Sequence, residues 1–286
     1  MKEVVVLSGK GGTGKTSIVG SFAALAKNKV LADCDVDAAD LHLLLKPVLQ
    51  QNNEFWSGQV AEINEERCTQ CGLCQEVCRF AAIDDFKIDP VACEGCSFCF
   101  HICPTEAITM KEALSGQWFI SDTKYGTLVH ARLGIAQENS GKLVALVRQK
   151  AKKIAEKQGF GYIISDGPPG IGCPVISSLS GANLALLVTE PTLSGIHDLE
   201  RVLGVCHHFG VPALVCVNKY DLNEDNTRQI ENYCLGQGVE VAARIPFDNI
   251  VTEALVQRLP VVEYSQGKVT QEIGKLWQTV TSVLDA

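Results

Sequence analysis

The 286-residue chain lacks three features that would each mark a whole class of protein. It has no unbroken Lys/Arg run and a formal charge of −8, which argues against nucleic-acid wrapping or polybasic membrane attachment, since both require neutralising phosphates. It has no long apolar run at its start. Met1-Lys2-Glu3-Val4-Val5-Val6-Leu7 is apolar only briefly, and no small-residue cleavage site follows, so a first strand is expected there rather than a signal peptide or membrane span. It has no low-complexity or linker-like stretch. The expectation is a cytoplasmic protein with no nucleic-acid partner and no stable membrane insertion. Without an export signal its 13 cysteines are not read as disulfides, and a reducing interior favours metal ligation.

Eight of those 13 cysteines fall between Cys68 and Cys103. The stretch 59–112 around them carries ten Asp/Glu against four Lys/Arg, a net of −6 out of the chain's −8. On either side, apolar strands alternate with helical patterns. Strands are expected at 30–32, 118–120, 127–131, 162–165, 184–189, 213–218 and 239–243. Helices are expected at 16–27, 141–158, 194–209 and 224–235, with a core-packing helix through Val269, Ile273, Leu276, Trp277, Val280 and Leu284. Short apolar strands separated by helices predict an α/β fold, with a mostly parallel sheet covered on both faces. The Cys-rich block therefore interrupts one α/β domain, giving 1–58, an insert at 59–112, and 113–286.

Gly9-Lys10-Gly11-Gly12-Thr13-Gly14-Lys15-Thr16 matches the Walker A pattern between a strand and a helix. The backbone of Gly11, Gly12, Thr13 and Gly14 would surround phosphate oxygens, and Ser17 would lie in the same first helical turn. Lys15 would reach the β- and γ-phosphates, and Thr16 would ligate Mg2+.

The additional Lys10 at the start of the loop resembles the deviant Walker A of the MinD/ParA family, which includes the nitrogenase iron protein and the Mrp-type cluster carriers. That resemblance implies a P-loop NTPase fold and a nucleotide-sandwich dimer, in which Lys10 of one subunit reaches the phosphates held by the other. Asp33-Cys34-Asp35 looks like the family's first switch, with Asp35 orienting the attacking water and Asp33 near the metal. Ile163-Ile164-Ser165-Asp166-Gly167-Pro168-Pro169-Gly170 looks like Walker B running into the second switch, with Asp166 on Mg2+ and Gly170 sensing the γ-phosphate. Lys10, Lys15, Asp35 and Asp166 are thus the implied catalytic group. For the base, Asn218 resembles the adenine-contacting Asn of the family, and Pro246 lies in its second base-flanking loop. Asn218-Lys219-Tyr220-Asp221 also matches the guanine-reading signature of GTPases, so GTP through Asn218 and Asp221 stands beside ATP/ADP.

Cys68-x-x-Cys71-x-x-Cys74-x-x-x-Cys78 and Cys93-x-x-Cys96-x-x-Cys99-x-x-x-Cys103-Pro104 are two copies of the bacterial ferredoxin run. They predict a small α+β ferredoxin-like insert with two 4Fe-4S clusters. One would take Cys68, Cys71, Cys74 and Cys103, the other Cys93, Cys96, Cys99 and Cys78, because the fourth Cys of each run ligates the other cluster. Zinc would gain nothing from a third Cys in each short run. Arg79 stands where a ferredoxin often has Pro, and His101 is expected to pack rather than ligate. Of the other cysteines, Cys34, Cys206, Cys216 and Cys234 are expected as core thiols, while Cys173 follows the second switch, where a dimer could pair two copies.

The combination resembles MinD-superfamily ATPases with an inserted ferredoxin domain. It implies a homodimer, or a heterodimer with a related ATPase, that gates electron transfer or metallocluster delivery to a redox or metalloprotein partner. A non-catalytic, redox-sensing positioning switch of MinD type is the alternative. Neither the interface cysteine of the iron protein nor the C-terminal Cys-x-x-Cys of Mrp-type carriers is present.

Overall fold

The computed structural model describes residues 1–134 and 139–286. In chain order the elements are β1 (Lys2–Ser8), α1 (Lys15–Leu25), β2 (Lys29–Asp33), α2 (Leu41–Leu45), β3 (Val48–Ile63), α3 (Leu73–Val77), β4 (Ile83–Asp84), β5 (Lys87–Ile88) and α4 (Phe98–Ile102). They continue with β6 (Ile108–Thr123), β7 (Gly126–Leu133), α5 (Ser140–Gln158), β8 (Tyr162–Pro169), α6 (Cys173–Leu179), β9 (Leu184–Thr189) and α7 (Leu193–His208). The chain ends with β10 (Ala213–Asn218), α8 (Glu224–Gly236), β11 (Glu240–Ile245), α9 (Ile250–Val256), α10 (Val261–Tyr264) and α11 (Lys268–Asp285). Two compact units result. The first comprises Met1–Asn52, Trp118–Arg132 and Ser140–Ala286, and the second Asn53–Gln117 with Leu133–Asn139. The second is wider than the Cys-rich stretch 59–112, and β3 and β6 each contribute residues to both units.

The sheet runs β11-β10-β9-β1-β8-β2-β7-β6-β3. Pairing is parallel from β11 through to β7. β6 and β7 are joined by Lys124-Tyr125 alone, which makes them a hairpin. Period-2 alternation explains why the central strands are apolar throughout. Val4 and Val6 of β1 pack into the core that holds α1 and α11, while Val5 and Leu7 pack into the core that holds α6, α7 and α8. β9 repeats this, with Leu184, Leu186 and Val188 on the first face and Ala185 and Leu187 on the second. As expected, α11 buries Val269, Ile273, Leu276, Trp277, Val280 and Leu284, and Trp277 lies 4.9 Å from the ring of Phe22. Among the described residues no helix is long and apolar enough to cross a membrane.

Two long strands differ from the expectation. The expected strand at 118–120 is the end of the 16-residue β6, and the 16-residue β3 was not anticipated at all. Most of β3 is exposed and opens Val-Leu-Gln-Gln-Asn-Asn-Glu, so it lacks the buried alternation that marks a strand in sequence.

The second unit is a repeat at the level of the backbone. Positions 25 apart match from 70 to 84: α3 with α4, the start of β4 at Ile83 with the start of β6 at Ile108, and three pairs of left-handed residues. Those pairs are Gln70 with Gly95 (φ 55° and 63°), Gly72 with Ser97 (82° and 64°), and Ala81 with Glu106 (50° and 51°). Conformations that side chains disfavour recur only if the same chain path is imposed twice. Ala61, Cys74, Ile83 and Ile108 form the centre of this unit.

In the first unit, β1, β8 and α5 are cross-linked by a nearly buried ion pair. Arg148 donates from Nε to Glu3 Oε1 (2.8 Å) and from Nη2 to Glu3 Oε2 (2.7 Å), and its Nη1 reaches the carbonyls of Ser177 (2.6 Å) and Ser180 (2.8 Å). The Ser165 hydroxyl also donates to Glu3 Oε1 at 2.9 Å. Removing one partner strands the other charge, so Arg148→Met is expected to cost about 3 kcal/mol in urea unfolding. The double variant Glu3→Gln/Arg148→Met should recover part of that loss.

Candidate functional site

Parallel strands deliver their C-terminal ends to one edge of the sheet, and the predicted nucleotide residues collect there. After Ser8 the loop turns through Gly12 (φ 80°) and Gly14 (φ 95°), left-handed conformations that glycine alone adopts freely. A Cβ at Gly14 would lie 2.4 Å from Asn218 Nδ2, and one at Gly9 would lie 2.2 Å from Asp198 Cβ. Gly11 and Gly12 face open space, where phosphates would approach. The loop is tied down from outside: Asn218 Nδ2 donates to the Thr13 carbonyl at 2.8 Å, and Lys219 Nζ to the Gly12 carbonyl at 3.2 Å. Gly170 (φ 91°) donates its N–H to the Ser8 carbonyl at 2.9 Å, holding the end of β8 beside the loop.

Lys15 is buried, 6% exposed, at the first position of α1. Asp33 and Asp166 are register partners on β2 and β8, both buried. Their oxygens are used differently. Asp33 accepts from the N–H of Asp35 (Oδ1) and of Leu41 (Oδ2), each at 3.2 Å, so it pins the turn after β2. Asp166 accepts a hydrogen bond from Thr16, yet its Oδ1 is buried with no partner among the described residues. A buried orphan carboxylate oxygen beside a hydroxyl is an oxygen donor set suited to Mg2+. Burial, and then the neighbouring Asp166 and Asp35, push the Asp33 carboxyl well above the usual carboxylate range. Burial pushes Asp166 up to about 7 against the pull of Lys15 and Thr16, and raises Asp35 against Lys15.

Lys10 does not extend from the loop in the single chain. Its Nζ sits 2.6 Å from Glu190 Oε1, 3.2 Å from Thr192 Oγ1 and 3.1 Å from Ser194 Oγ. Glu190 also accepts from Lys219 at 3.1 Å. Burial would raise its carboxyl, but the two lysines outweigh that and hold it low. Sequence reading missed Glu190, although it directly follows β9, the strand that flanks β1.

A cleft lies beyond the loop, lined by Gly12, Gly14, Ser17, Asn218, Pro246 and Phe247 among others. Asp221 is not part of that lining. Its Oδ1 accepts the Phe247 N–H at 2.7 Å and so holds the Pro246-Phe247 loop in place.

In the second unit the eight run cysteines line two cavities, and the two sets cross between the runs. Cys68, Cys71, Cys74 and Cys103 line one, and Cys78, Cys93, Cys96 and Cys99 the other. Among the described residues no three His, Cys, Asp or Glu side chains converge on a single-ion site. Tetrahedral zinc at about 2.3 Å from each sulfur would require such convergence. In each run the N–H four residues after the last Cys donates to its sulfur, Ala82 to Cys78 at 3.4 Å and Ala107 to Cys103 at 3.3 Å. Burial raises the Cys74 and Cys99 thiols. At Cys103, burial is outweighed by N–H donors led by Thr105 and Ala107, which bring the thiol below its ordinary value. His101 is exposed and lines neither cavity. Cys34, Cys206, Cys216 and Cys234 are buried, and Cys173 is exposed.

Residues 4–261 match the CobQ/CobB/MinD/ParA nucleotide-binding domain. The chain belongs to that family. An uncharacterized protein of Methanocaldococcus jannaschii is 34% identical over 279 residues, 96% of this chain and 95% of that one. Among solved structures, the Pyrococcus furiosus cell division ATPase MinD superimposes with a TM-score of 0.59 at 20% identity, covering 99% of both chains. Septum site-determining MinD of Pyrococcus horikoshii, complexed with Mg-ADP, gives 0.56 at 18% identity, covering 98% of this chain and 95% of that one. These likenesses establish a P-loop NTPase fold with a mostly parallel sheet. Within the family's nucleotide-binding domain, the loop, Lys15 and the Asp33/Asp166 pair occupy one edge.

Asp166 yields a test whose sign is fixed by its environment. With a carboxyl pKa raised to about 7, its contribution to folding is fully present below about pH 4 and is lost as pH rises through 7. Asp166→Asn is therefore expected to stabilise the metal-free protein at pH 8 by on the order of 2 kcal/mol in thermal or urea unfolding, with little effect at pH 4. The same variant should lose Mg2+-dependent nucleotide binding in calorimetry.

Proposed function

We propose that this chain is an ATP-hydrolysing iron–sulfur protein in which nucleotide-dependent dimerisation gates electron transfer or metallocluster delivery to a redox or metalloprotein partner. The observation that carries the reading is the sorting of eight thiols into two cavities of four, on a chain that also bears a P-loop beside a buried, unpartnered carboxylate oxygen. Two 4Fe-4S clusters, when bound, supply one-electron storage. Four thiolates per cavity, from two runs whose fourth members cross over, fit that group and not a single ion. The inserted unit is thereby read as ferredoxin-like.

In the nucleotide unit, the loop N–H groups and Lys15 bind phosphates, and Thr16 with Asp166 holds Mg2+. Asp35 orients the attacking water, and Gly170, hydrogen-bonded beside the loop, senses the γ-phosphate. For Lys10 to reach a partner's phosphates it must leave Glu190, so the cis contact belongs to the unpaired state. A homodimer, or a heterodimer with a related ATPase, fits this arrangement equally. The MinC:MinD complex of Aquifex aeolicus is a precedent for a relative bound to another protein. ATP is favoured over GTP because Asp221, which a guanine would need, is spent on the Phe247 N–H outside the cleft. The segment carrying Asp35 leads through α2 into β3, which contributes residues to the thiol-bearing unit, so a short stretch of chain joins this switch to that unit.

The test is anaerobic reconstitution followed by EPR and ATP turnover. Expected are about eight irons per chain, an EPR signal that changes with ATP, and turnover that falls when Cys71 and Cys96 are both replaced by Ser. Signals indifferent to nucleotide, with turnover indifferent to cluster loss, would sink the coupling and favour a redox-sensing positioning switch. ATP should be preferred over GTP by at least roughly tenfold in binding, a difference of about 1.4 kcal/mol, and Asp221→Ala should weaken ATP binding without improving GTP.

A further inference from the structure

The four cysteines of the two runs match at a spacing of 25, as do Ala82 with Ala107 and Ile83 with Ile108, but the two residues directly after the fourth cysteine differ in chemistry. Arg79-Phe80 follows Cys78, whereas Pro104-Thr105 follows Cys103. Both fourth thiols receive an N–H, from Ala82 and Ala107 at 3.4 and 3.3 Å. Cys103 has a further contact, with its Sγ 3.7 Å from Thr105 Oγ1. A ligating thiolate carries no proton, so in that state the hydroxyl must be the donor. Phe80, at the matching position and lining the other cavity, has no side-chain donor.

We propose that Thr105 makes the cluster held by Cys68, Cys71, Cys74 and Cys103 the higher-potential member of the pair, so that an electron entering this unit comes to rest there. This rests on the reading that both cavities hold 4Fe-4S clusters. Reduction adds negative charge to the cluster and its sulfurs, and a donor aimed at a ligand sulfur stabilises that charge more than the oxidised form. A second difference acts in the same direction. Glu94 lines the Cys78 cavity, while the described lining of the Cys103 cavity contains no Asp or Glu. A carboxylate beside a cluster opposes the arrival of an electron. Both Glu94 and Arg79 are exposed and partly screened by water and salt, but Glu94 lies in the cavity lining, whereas Arg79, which would act oppositely, lines neither cavity.

The experiment is an anaerobic redox titration of the reconstituted full chain, with dithionite as the one-electron donor, followed by EPR and accompanied by iron and sulfide counts. Wild type should show two separated steps, and Cys96→Ala should remove the lower one, which assigns the steps. Thr105→Val should cut the preference for the upper cluster about tenfold, equivalent to 59 mV for one electron, and leave the lower step in place. Thr105→Ser, which keeps the hydroxyl, should restore wild-type behaviour. Phe80→Thr should move the lower step upward. With about eight irons per chain, coincident wild-type steps, or a Thr105→Val titration that overlays wild type, would overturn this inference and leave the cluster reading standing. An iron count near zero in wild type would overturn both.

Discussion

The nucleotide unit is organised around a shortage of positive charge. Asp33, Asp35 and Asp166 are brought together where β2 and β8 end, and burial pushes each of them toward its neutral form. Lys15 is the buried cation set against Asp35 and Asp166, and its place depends on the loop before it, which Asn218 and Lys219 hold by two of its carbonyls. Lys219 in turn shares Glu190 with Lys10. The sheet, the loop and the late strand β10 thus form one electrostatic assembly. Conflict of this kind is common where a protein awaits a charged ligand, and it is tolerated because the surrounding core over-determines the geometry.

Legibility in the sequence followed the strength of local constraint. The P-loop was readable because its glycines are demanded by left-handed backbone at Gly12 and Gly14 and by close approach at Gly9 and Gly14. The central strands were readable because both faces are buried, so Leu184–Thr189 and Ala213–Asn218 match their expected bounds. β3 was not, because a mostly exposed strand that buries only Phe55 and Ala61 leaves no apolar period. The work of Asp33, Asp221 and Glu190 was hidden for another reason. A carboxylate looks the same in sequence whether it faces a metal, a base, a lysine or a backbone N–H, and only the fold decides which.

The two units share a chain but make different demands on it. The first has a large apolar core on each side of a parallel sheet. The second has a core of four buried residues, one of them Cys74, with four other cysteines among the half-buried residues packed around it. So small an apolar core supplies limited stabilisation on its own, and ligand binding at its thiols would add to its folding free energy.

The crossing of the fourth cysteines has a consequence for descent. Neither 25-residue half can complete a cavity by itself, since each keeps three thiols and lends its fourth to the other. The pair is in effect a symmetric dimer fused end to end, the form expected from duplication of a short segment that once assembled with its own copy. Residues that complete the crossing are bound to the symmetry, whereas the positions between and just after the cysteines, such as 76 with 101 and 80 with 105, are where two initially identical halves were free to become different.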